Sequence, residues 1–158
     1  MIVKIGGGKE INLEGACKDI SELIKEKNEK IIIVHGANHV RDQLAKSLDK
    51  EKKILTSVSG YSSVFSDEDA IDMIMMSYSG IVNKKLVECL QRSGVNAIGL
   101  SGIDGALIRG KRNRGIRVKE GEKLKIVRDF SGKPKEINKK LLENFKQDFF
   151  NFHESKFL

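Results

Sequence analysis

The chain has 158 residues, a net charge of +7, 39% hydrophobic residues and 32% charged residues. This length suits one domain with a real core, and the composition is that of a globular protein rather than a disordered one. The longest apolar runs, four or five residues, exclude a membrane-spanning helix, and the N-terminus lacks a signal-peptide pattern. We therefore expect a cytoplasmic protein, without membrane association, whose positive charge favours anionic partners.

Two short apolar runs each lead into a glycine turn. The first predicted strand, Ile2–Ile5, is followed by Gly6-Gly7-Gly8. The second predicted strand, Lys30–Val34, is followed by His35-Gly36-Ala37-Asn38. Each turn precedes an amphipathic stretch, so the pattern of strand, tight turn and helix occurs twice.

The two helices are predicted from about Leu13 to Lys27 and from Val40 to about Leu48. If the strands are parallel neighbours, both turns lie at the same carboxyl edge of the sheet, where helix N-termini and bare N–H groups attract anions. Glycine lets the backbone approach a phosphate group closely, and Lys4 adds a positive charge at this edge. The sequence therefore predicts a site for phosphate chemistry.

The middle of the chain predicts a hairpin, a long helix and a strand. Residues Ile54–Phe65 alternate weakly around Gly60, which indicates a strand pair at the sheet margin. The segment Ser66-Asp67-Glu68-Asp69 resembles a capping box, and the helix that follows continues to just before Gly94. A strand is predicted over Asn96–Leu100.

The last third begins with the loop Ser101–Gly105, followed by short strands and a basic connection over Ala106–Val127. A further helix is predicted over Ile137–Lys146. Alternating strands and helices of these lengths predict an α/β fold whose sheet is mostly parallel, with helices on both faces.

The composition changes near the end of the chain. All 15 glycines lie at or before Gly132, whereas five of the seven phenylalanines lie between Phe145 and Phe157. We therefore interpret residues 145–158 as an atypical phenylalanine-rich tail outside the fold.

Several isolated residues are interpreted as structural. Cys17 and Cys89 lie far apart in predicted helices and belong to no paired motif, so we expect buried free thiols. His35 and His39 have a spacing that could bind a metal, but His35 precedes the helix and no acidic partner is near, so no metal site is predicted. The methionines of the long helix are interpreted as core packing: Met73, Met75 and Met76.

Five motifs occur in the order seen in the amino acid kinase family: Lys4-x-Gly6-Gly7, Val34-His35-Gly36, Asn83-Lys84, Gly99-Leu100-Ser101-Gly102-x-Asp104-Gly105, and Gly132 through Asn138. Residues 1–144 resemble this family, in particular the acetylglutamate kinases and, more closely, the LysW-aminoadipate kinases of lysine and arginine biosynthesis. The resemblance implies a three-layer α/β/α sandwich of the carbamate kinase type, of which residues 1–144 form the N-terminal substrate domain.

The resemblance also implies a reaction. Members of this family use ATP and Mg²⁺ to transfer the γ-phosphoryl group to a side-chain carboxylate, which requires alignment of the reactants and neutralisation of charge. By resemblance, Lys4 is the catalytic residue, Gly6 and Gly7 supply N–H donors to the phosphoryl group, and Gly36-Ala37-Asn38 holds the acceptor by its backbone. Relatives form homo-oligomers, so we expect the same here.

Three departures from the family pattern change these expectations. Ala37 and Asn38 replace the second and third glycines that usually follow the histidine. In Gly60-Tyr61-Ser62 a serine stands where the family has a substrate-clamping arginine, so either Ser62 meets a different substrate or another cation replaces the arginine. The nucleotide-binding half expected after Asn144 is absent, which suggests a frameshift or truncation and a chain that is not catalytically competent alone.

The densest positive segment is Arg109–Lys119. One interpretation is a solvated hairpin with a charged tip, and a second is a docking surface for an acidic carrier protein such as LysW. Nucleic-acid binding is the least favoured, because no aromatic residue is interleaved with the cations.

The leading hypothesis is a kinase-type phosphotransferase that acts on N-acetylglutamate or on carrier-linked aminoadipate or glutamate. The alternative is a non-catalytic module that binds an acidic carrier protein or a small carboxylate, and a weaker option is an RNA-binding fragment. Only the kinase hypothesis requires ATP, so nucleotide binding distinguishes it from the others.

Overall fold

The computed structural model describes residues 1–50, 52–120 and 123–151, which form an α/β domain. The strands are β1 Ile2–Ile5, β2 Ile32–His35, β3 Ile54–Thr56, β4 Ser62–Val64, β5 Ile108–Arg112, β6 Ile116–Glu120, β7 Lys123–Val127 and β8 Gly132–Ile137. The α-helices are α1 Leu13–Lys27, α2 Asn38–Ser47, α3 Glu68–Ile74, α4 Asn83–Arg92 and α5 Lys139–Asn151. A π-helical segment, Met75–Val82, joins α3 to α4, and Asp104–Ala106 forms a 3-10 turn.

The first two strands pair in parallel, as predicted, with Ile2 opposite Ile32 and Ile5 opposite His35. Their β-branched residues suit a pleated, half-buried surface. Between them, α1 begins where the Asn12 side chain accepts the Gly15 N–H at 2.9 Å. The predicted bounds of β1 and α1 are confirmed, whereas β2 begins two residues later than predicted and α2 begins two residues earlier.

The core lies between the inner face of the β1–β2 sheet and the helices α1 and α4. Leu86 and Leu90 of α4 are among its most buried side chains, each 4% exposed. Cys17 and Cys89 lie in this core as free thiols, which confirms that prediction. Burial, helped by a hydrogen bond with the Cys89 side chain, raises the pKa of Cys17 to about 12.

The outer face of the same sheet is exposed, with Ile2 73% and Val34 52% accessible to solvent. The residues described here therefore cover the sheet on one face, and they do not form the third layer of the expected sandwich.

The long helix begins one residue later than the capping-box pattern suggests. The N-cap is Asp67, whose carboxylate accepts the Ala70 N–H at 3.0 Å and the Lys53 ammonium at 2.6 Å. The hydrogen bond from Lys53, followed by that from Ala70, holds the pKa of Asp67 below its usual value. Core packing is confirmed for Met73 but is wrong for the half-exposed pair Met75 and Met76.

The sheet is not mostly parallel over the described residues, because β1–β2 is parallel while β3–β4, β5–β8 and β6–β7 are antiparallel. The strand predicted over Asn96–Leu100 does not form, although all five residues are described. Three of its carbonyls instead accept hydrogen bonds from side chains of α4, in the pairs Gln91–Ala97 (3.1 Å), Lys84–Gly99 (3.4 Å) and Asn83–Leu100 (3.5 Å). The helix thus occupies acceptors that a neighbouring strand would use.

The predicted hairpin is confirmed as β3–β4, with Gly60 at its tip in a left-handed conformation (φ 80°). Farther along the chain, β5 pairs with β8 and β6 pairs with β7. We call residues 108–137 the basic ribbon, because the segment contains eleven Lys and Arg residues and four Asp and Glu residues.

The final helix, α5, extends past the predicted end at Lys146 and into the phenylalanine-rich tail. The rest of that tail, residues 152–158, lies outside the described residues. No helix in the described ranges combines the length and apolar character that a membrane crossing requires. The cytoplasmic location stays a prediction.

Candidate functional site

The two glycine turns are in direct contact at the carboxyl edge of β1 and β2. The N–H of Gly36 donates to the carbonyl of Ile5 at 2.9 Å, and the N–H of His39 donates to the carbonyl of Gly7 at 2.8 Å. A Cβ on Gly7 would lie 2.5–2.7 Å from backbone atoms of Gly36, Ala37 and Asn38. Only glycine permits this approach, so the sequence pattern and the contact explain each other.

The turns leave several backbone donors available. The N-cap of α2 is Ala37, which has no side-chain oxygen to cap the helix. Among the described residues, the N–H groups of Gly7, Gly8, Asn38 and Val40 have no backbone acceptor. These donors, together with the positive end of the α2 dipole, form a cradle suited to an anion.

Lys4 lies one position before the end of β1, opposite Val34 of β2. It is exposed, and no ion pair or hydrogen bond occupies its ammonium group within the described part of the chain. The site residues Lys4, Gly6, Gly7, Gly36, Ala37 and Asn38 therefore come together at one sheet edge, as their positions in the sequence indicate.

Ser62 does not join this cluster through any described hydrogen bond. It lies in β4, and its hydroxyl bonds the Thr56 hydroxyl across the hairpin at 2.8 Å. The structure thus gives Ser62 a contact within the hairpin, and its role in substrate binding stays a prediction.

The helix that follows the hairpin reaches the second turn with two side chains. The Tyr78 hydroxyl donates to Asn38 Oδ1 at 2.5 Å, and Asn83 Nδ2 lies 3.5 Å from His35 Nε2. His35 Nδ1 is buried and has no partner among the described residues. The sequence analysis does not identify Tyr78 as a site residue. The only local feature that distinguishes it is its hydroxyl group, on an otherwise apolar face of the helix.

The loop at Ser101–Gly105 is organised by its own aspartate. The N–H and hydroxyl of Ser101 donate to Asp104 Oδ2 at 2.5 and 2.8 Å, and these bonds lower the pKa of Asp104. Asn138 Nδ2 donates to the Gly105 carbonyl at 3.0 Å, which ties the loop to the start of α5. This motif has a structural function in the described contacts.

One surface cavity, of about 260 Å³, is lined by Ala106, Arg109, Glu136, Ile137 and Asn138 and is remote in sequence from the glycine turns. The second lies between α2, α3 and the hairpin. Neither of these two cavities is lined by a residue of the glycine turns.

The donors at the two glycine turns fit a phosphate group. Free N–H donors and an uncapped helix N-terminus match phosphate oxygens. Over the described ranges, no group of three His, Cys, Asp or Glu side chains is arranged to hold a metal. We therefore assign no residue of this chain to Mg²⁺.

The chain is similar to known proteins over most of its length. The model of the amino acid kinase family matches residues 1–149. The [LysW]-aminoadipate kinase of Thermus thermophilus is 40% identical over 144 residues, which is 90% of this chain and 53% of the relative. The enzyme of the same name from Deinococcus radiodurans is 41% identical over 128 residues, covering 81% of this chain and 44% of the relative.

A third relative, the [LysW]-aminoadipate/[LysW]-glutamate kinase of Metallosphaera sedula, is 29% identical over 146 residues, covering 91% of this chain and 54% of the relative. The chain thus spans about half the length of the curated relatives it matches. Because the family model covers nearly the whole chain, including both glycine turns, the protein belongs to the amino acid kinase family.

Proposed function

We propose that this chain forms the phosphoryl- and acceptor-binding part of a kinase that phosphorylates a side-chain carboxylate in lysine or arginine biosynthesis. The observation that carries the proposal is the contact between the two glycine turns, which leaves free N–H donors beside Lys4. The names of the relatives support aminoadipate or glutamate linked to the carrier LysW as the acceptor, and N-acetylglutamate is the simpler alternative.

In this reaction a carboxylate oxygen of the acceptor forms a bond to the γ-phosphorus of ATP while the bond to the β–γ bridging oxygen breaks and ADP leaves. The chain supplies charge neutralisation and position rather than a covalent intermediate. The N–H groups of Gly7 and Gly8 are placed to bind phosphoryl oxygens, and Lys4 neutralises the negative charge of the transferring group. Asn38 and the start of α2 are placed to hold the acceptor carboxylate.

The experiment that tests the proposal measures ATP-dependent acyl phosphate, trapped with hydroxylamine as the hydroxamate. Because the relatives are about twice as long, the chain is assayed alone and joined to the C-terminal half of the Thermus thermophilus relative. Lys4→Ala is expected to lower kcat by about 10²–10³-fold, the usual effect of removing a group that stabilises transition-state charge. Lys46→Ala, which removes an exposed lysine at the end of α2, is the control. Near-normal turnover of Lys4→Ala would contradict the proposal.

The basic ribbon supports an acidic carrier protein as the partner. Excess positive charge on an exposed ribbon favours a partner of opposite charge and speeds its association. On one face of β6–β7, exposed cations of β6 lie opposite exposed aliphatic residues of β7: Arg117 pairs with Ile126, and Lys119 pairs with Leu124. Such a face suits an acidic protein that also presents apolar side chains.

Binding of LysW to the chain tests this partner by calorimetry. The double variant Arg117→Glu with Lys119→Glu is expected to weaken binding at least about tenfold, and added salt should weaken wild-type binding. Lys18→Glu with Lys46→Glu makes the same charge change elsewhere and is the control. Equal loss in both double variants would indicate attraction to overall charge rather than docking on the ribbon.

The competing function is a binding module without catalysis, which the serine at position 62, where the family has an arginine, favours. Binding of LysW without any ATP-dependent product in the joined enzyme would establish it. Assembly into homo-oligomers stays a prediction, which light scattering on the chain tests.

A further inference from the structure

The long helix that contains α3 and α4 is π-helical over Met75–Val82, the segment that joins them. Its last hydrogen bond runs from the Asn83 N–H to the Tyr78 carbonyl, five residues back. Ser77, fully buried inside the segment, donates its hydroxyl to the Met73 carbonyl. Long π-helical segments are rare, and those that occur are frequently at functional sites.

The π geometry decides which side chains share a face. In an α-helix, two residues five apart point in directions that differ by about 140°. In a π-helix the hydrogen bond joins residues five apart, so these residues lie one above the other. Tyr78 and Asn83 therefore face the same neighbour, which an α-helical segment would not allow.

That neighbour is the turn at the start of α2. The Tyr78 hydroxyl bonds Asn38, and the Asn83 amide meets His35. His35 and Asn38 are the residues on either side of the Gly36–Ala37 pair. The π-helical segment and the first residue of α4 therefore contact the two ends of this turn.

Each contact fixes a different part of the turn. Because Tyr78 occupies Asn38 Oδ1, the amide group Nδ2 of Asn38 remains available as a donor beside the backbone N–H of the same residue. Asn83 is 7% exposed and also donates to the Leu100 carbonyl at 3.5 Å, so its position is determined by surrounding backbone. The contact with His35 is therefore made from a buried position.

We propose that Tyr78 of the π-helical segment and Asn83, the first residue of α4, form a two-point clamp on the Gly36–Ala37 turn, and that Tyr78 is a positioning residue that keeps the first turn of α2 in its anion-binding geometry. The inference rests on the proposed function, because it assigns Tyr78 to the same site. A clamp of this kind acts through the turn, and Tyr78 itself touches neither phosphate nor acceptor.

The test uses the chain itself and amide hydrogen exchange without ligand. Tyr78→Phe removes the hydroxyl, so the amides of His39 and Arg41, bonded to Gly7 and Ala37, should exchange about tenfold faster. Core amides of α4 should not change. Tyr61→Phe, which alters the other tyrosine of the chain at a position 73% exposed, is the matched control.

A second measurement follows inorganic phosphate binding by amide chemical shifts of residues 7, 8 and 38. Tyr78→Phe should weaken phosphate binding several-fold, whereas Tyr61→Phe should leave it unchanged. Unchanged exchange in Tyr78→Phe would overturn the clamp, and faster exchange with unchanged phosphate affinity would overturn its positioning role.

If Tyr78→Phe does not fold, Asn38→Ala removes the same hydrogen bond at an exposed position and should give the same acceleration. When all variants fold, the double variant should exchange no faster than either single variant, because both remove one interaction. Failure of the wild-type chain to bind phosphate would contradict the proposed site itself. That result is distinct from failure of the clamp, which the exchange rates report without ligand.

Discussion

The segment up to Val95 and the basic ribbon contribute different properties to this domain. Every buried apolar side chain among the described residues lies at or before Val95. Within the described part of the ribbon, the buried residue is a carboxylate, Asp129, 6% exposed. Charge has the opposite distribution, because the ribbon's excess of seven positive charges equals the net charge of the whole chain.

This difference separates the residues that stabilise the fold from those that carry the charge. The first segment gains its stability by removing apolar surface from water. The ribbon is held by its strand pairings and by local contacts, such as the Arg112 guanidinium 4.2 Å above the Phe130 ring. Side chains that are not needed for packing are free to carry charge, so the ribbon can vary for a partner without loss of the core.

The largest expected effect compares two leucines. Leu86→Ala removes a side chain that is 4% exposed in the core, and should lower the free energy of unfolding by about 2–5 kcal/mol. Leu124→Ala makes the same chemical change at a ribbon position that is 70% exposed, and should change it by less than about 0.5 kcal/mol. Urea unfolding followed by circular dichroism measures both. Similar losses in the two variants would mean that the ribbon also contributes to the core.

A smaller effect is expected at Asp129, which joins the two regions. Its carboxylate accepts the Ser66 N–H at 3.2 Å and both the N–H and the hydroxyl of Ser131, at 3.1 and 2.6 Å. Asp129→Asn should lower the free energy of unfolding by about 1.5–3 kcal/mol at pH 7, since these bonds go to a charged acceptor. Asp72→Asn, at an exposed carboxylate in α3, is the control.

The hydrogen bonds of Asp129 also predict that the stability of the domain depends on pH. Burial would raise the pKa of Asp129, but the hydrogen bonds from Ser131 and Ser66 outweigh burial and hold its pKa below the ordinary value of 3.8. Its contribution to stability is therefore complete above that value and is lost as the pH falls through the lowered pKa. The difference between wild type and Asp129→Asn should shrink in acid, and a constant difference down to pH ~2 would contradict this interpretation.

Features determined by neighbours along the chain could be predicted from the sequence. The strand Ile2–Ile5, the helix Leu13–Lys27 and the hairpin around Gly60 follow from local periodicity and turn residues. The meeting of Gly7 and Gly36 follows from one further step, the parallel pairing of β1 with β2. These features contain most of the candidate site.

Features determined by tertiary contacts could not be predicted. The segment Asn96–Leu100 has the residues of a strand, but three of its carbonyls accept hydrogen bonds from side chains of α4. No local sequence pattern predicts these hydrogen bonds. Tyr78 was missed because helical periodicity assumes 3.6 residues per turn, and the π-helical segment changes which residues share a face. The hydrogen bond between the Ser62 and Thr56 hydroxyls likewise depends on the pairing of β3 with β4, and a role of Ser62 in substrate binding stays a prediction.

The smallest expected effect concerns the charge of the ribbon. Arg117→Gln with Lys119→Gln removes two cations from an exposed face that carries many others. Because like charges repel in the folded ribbon, the double variant should be slightly more stable than wild type, by at most about 0.5 kcal/mol at low salt. The gain should disappear at about 0.5 M NaCl, where screening reduces the repulsion. Urea unfolding at both salt concentrations measures this, with Lys18→Gln and Lys46→Gln as the matched control outside the ribbon. A loss of stability in the ribbon variant would mean that these cations stabilise the fold, so that the charge could not vary independently of the structure.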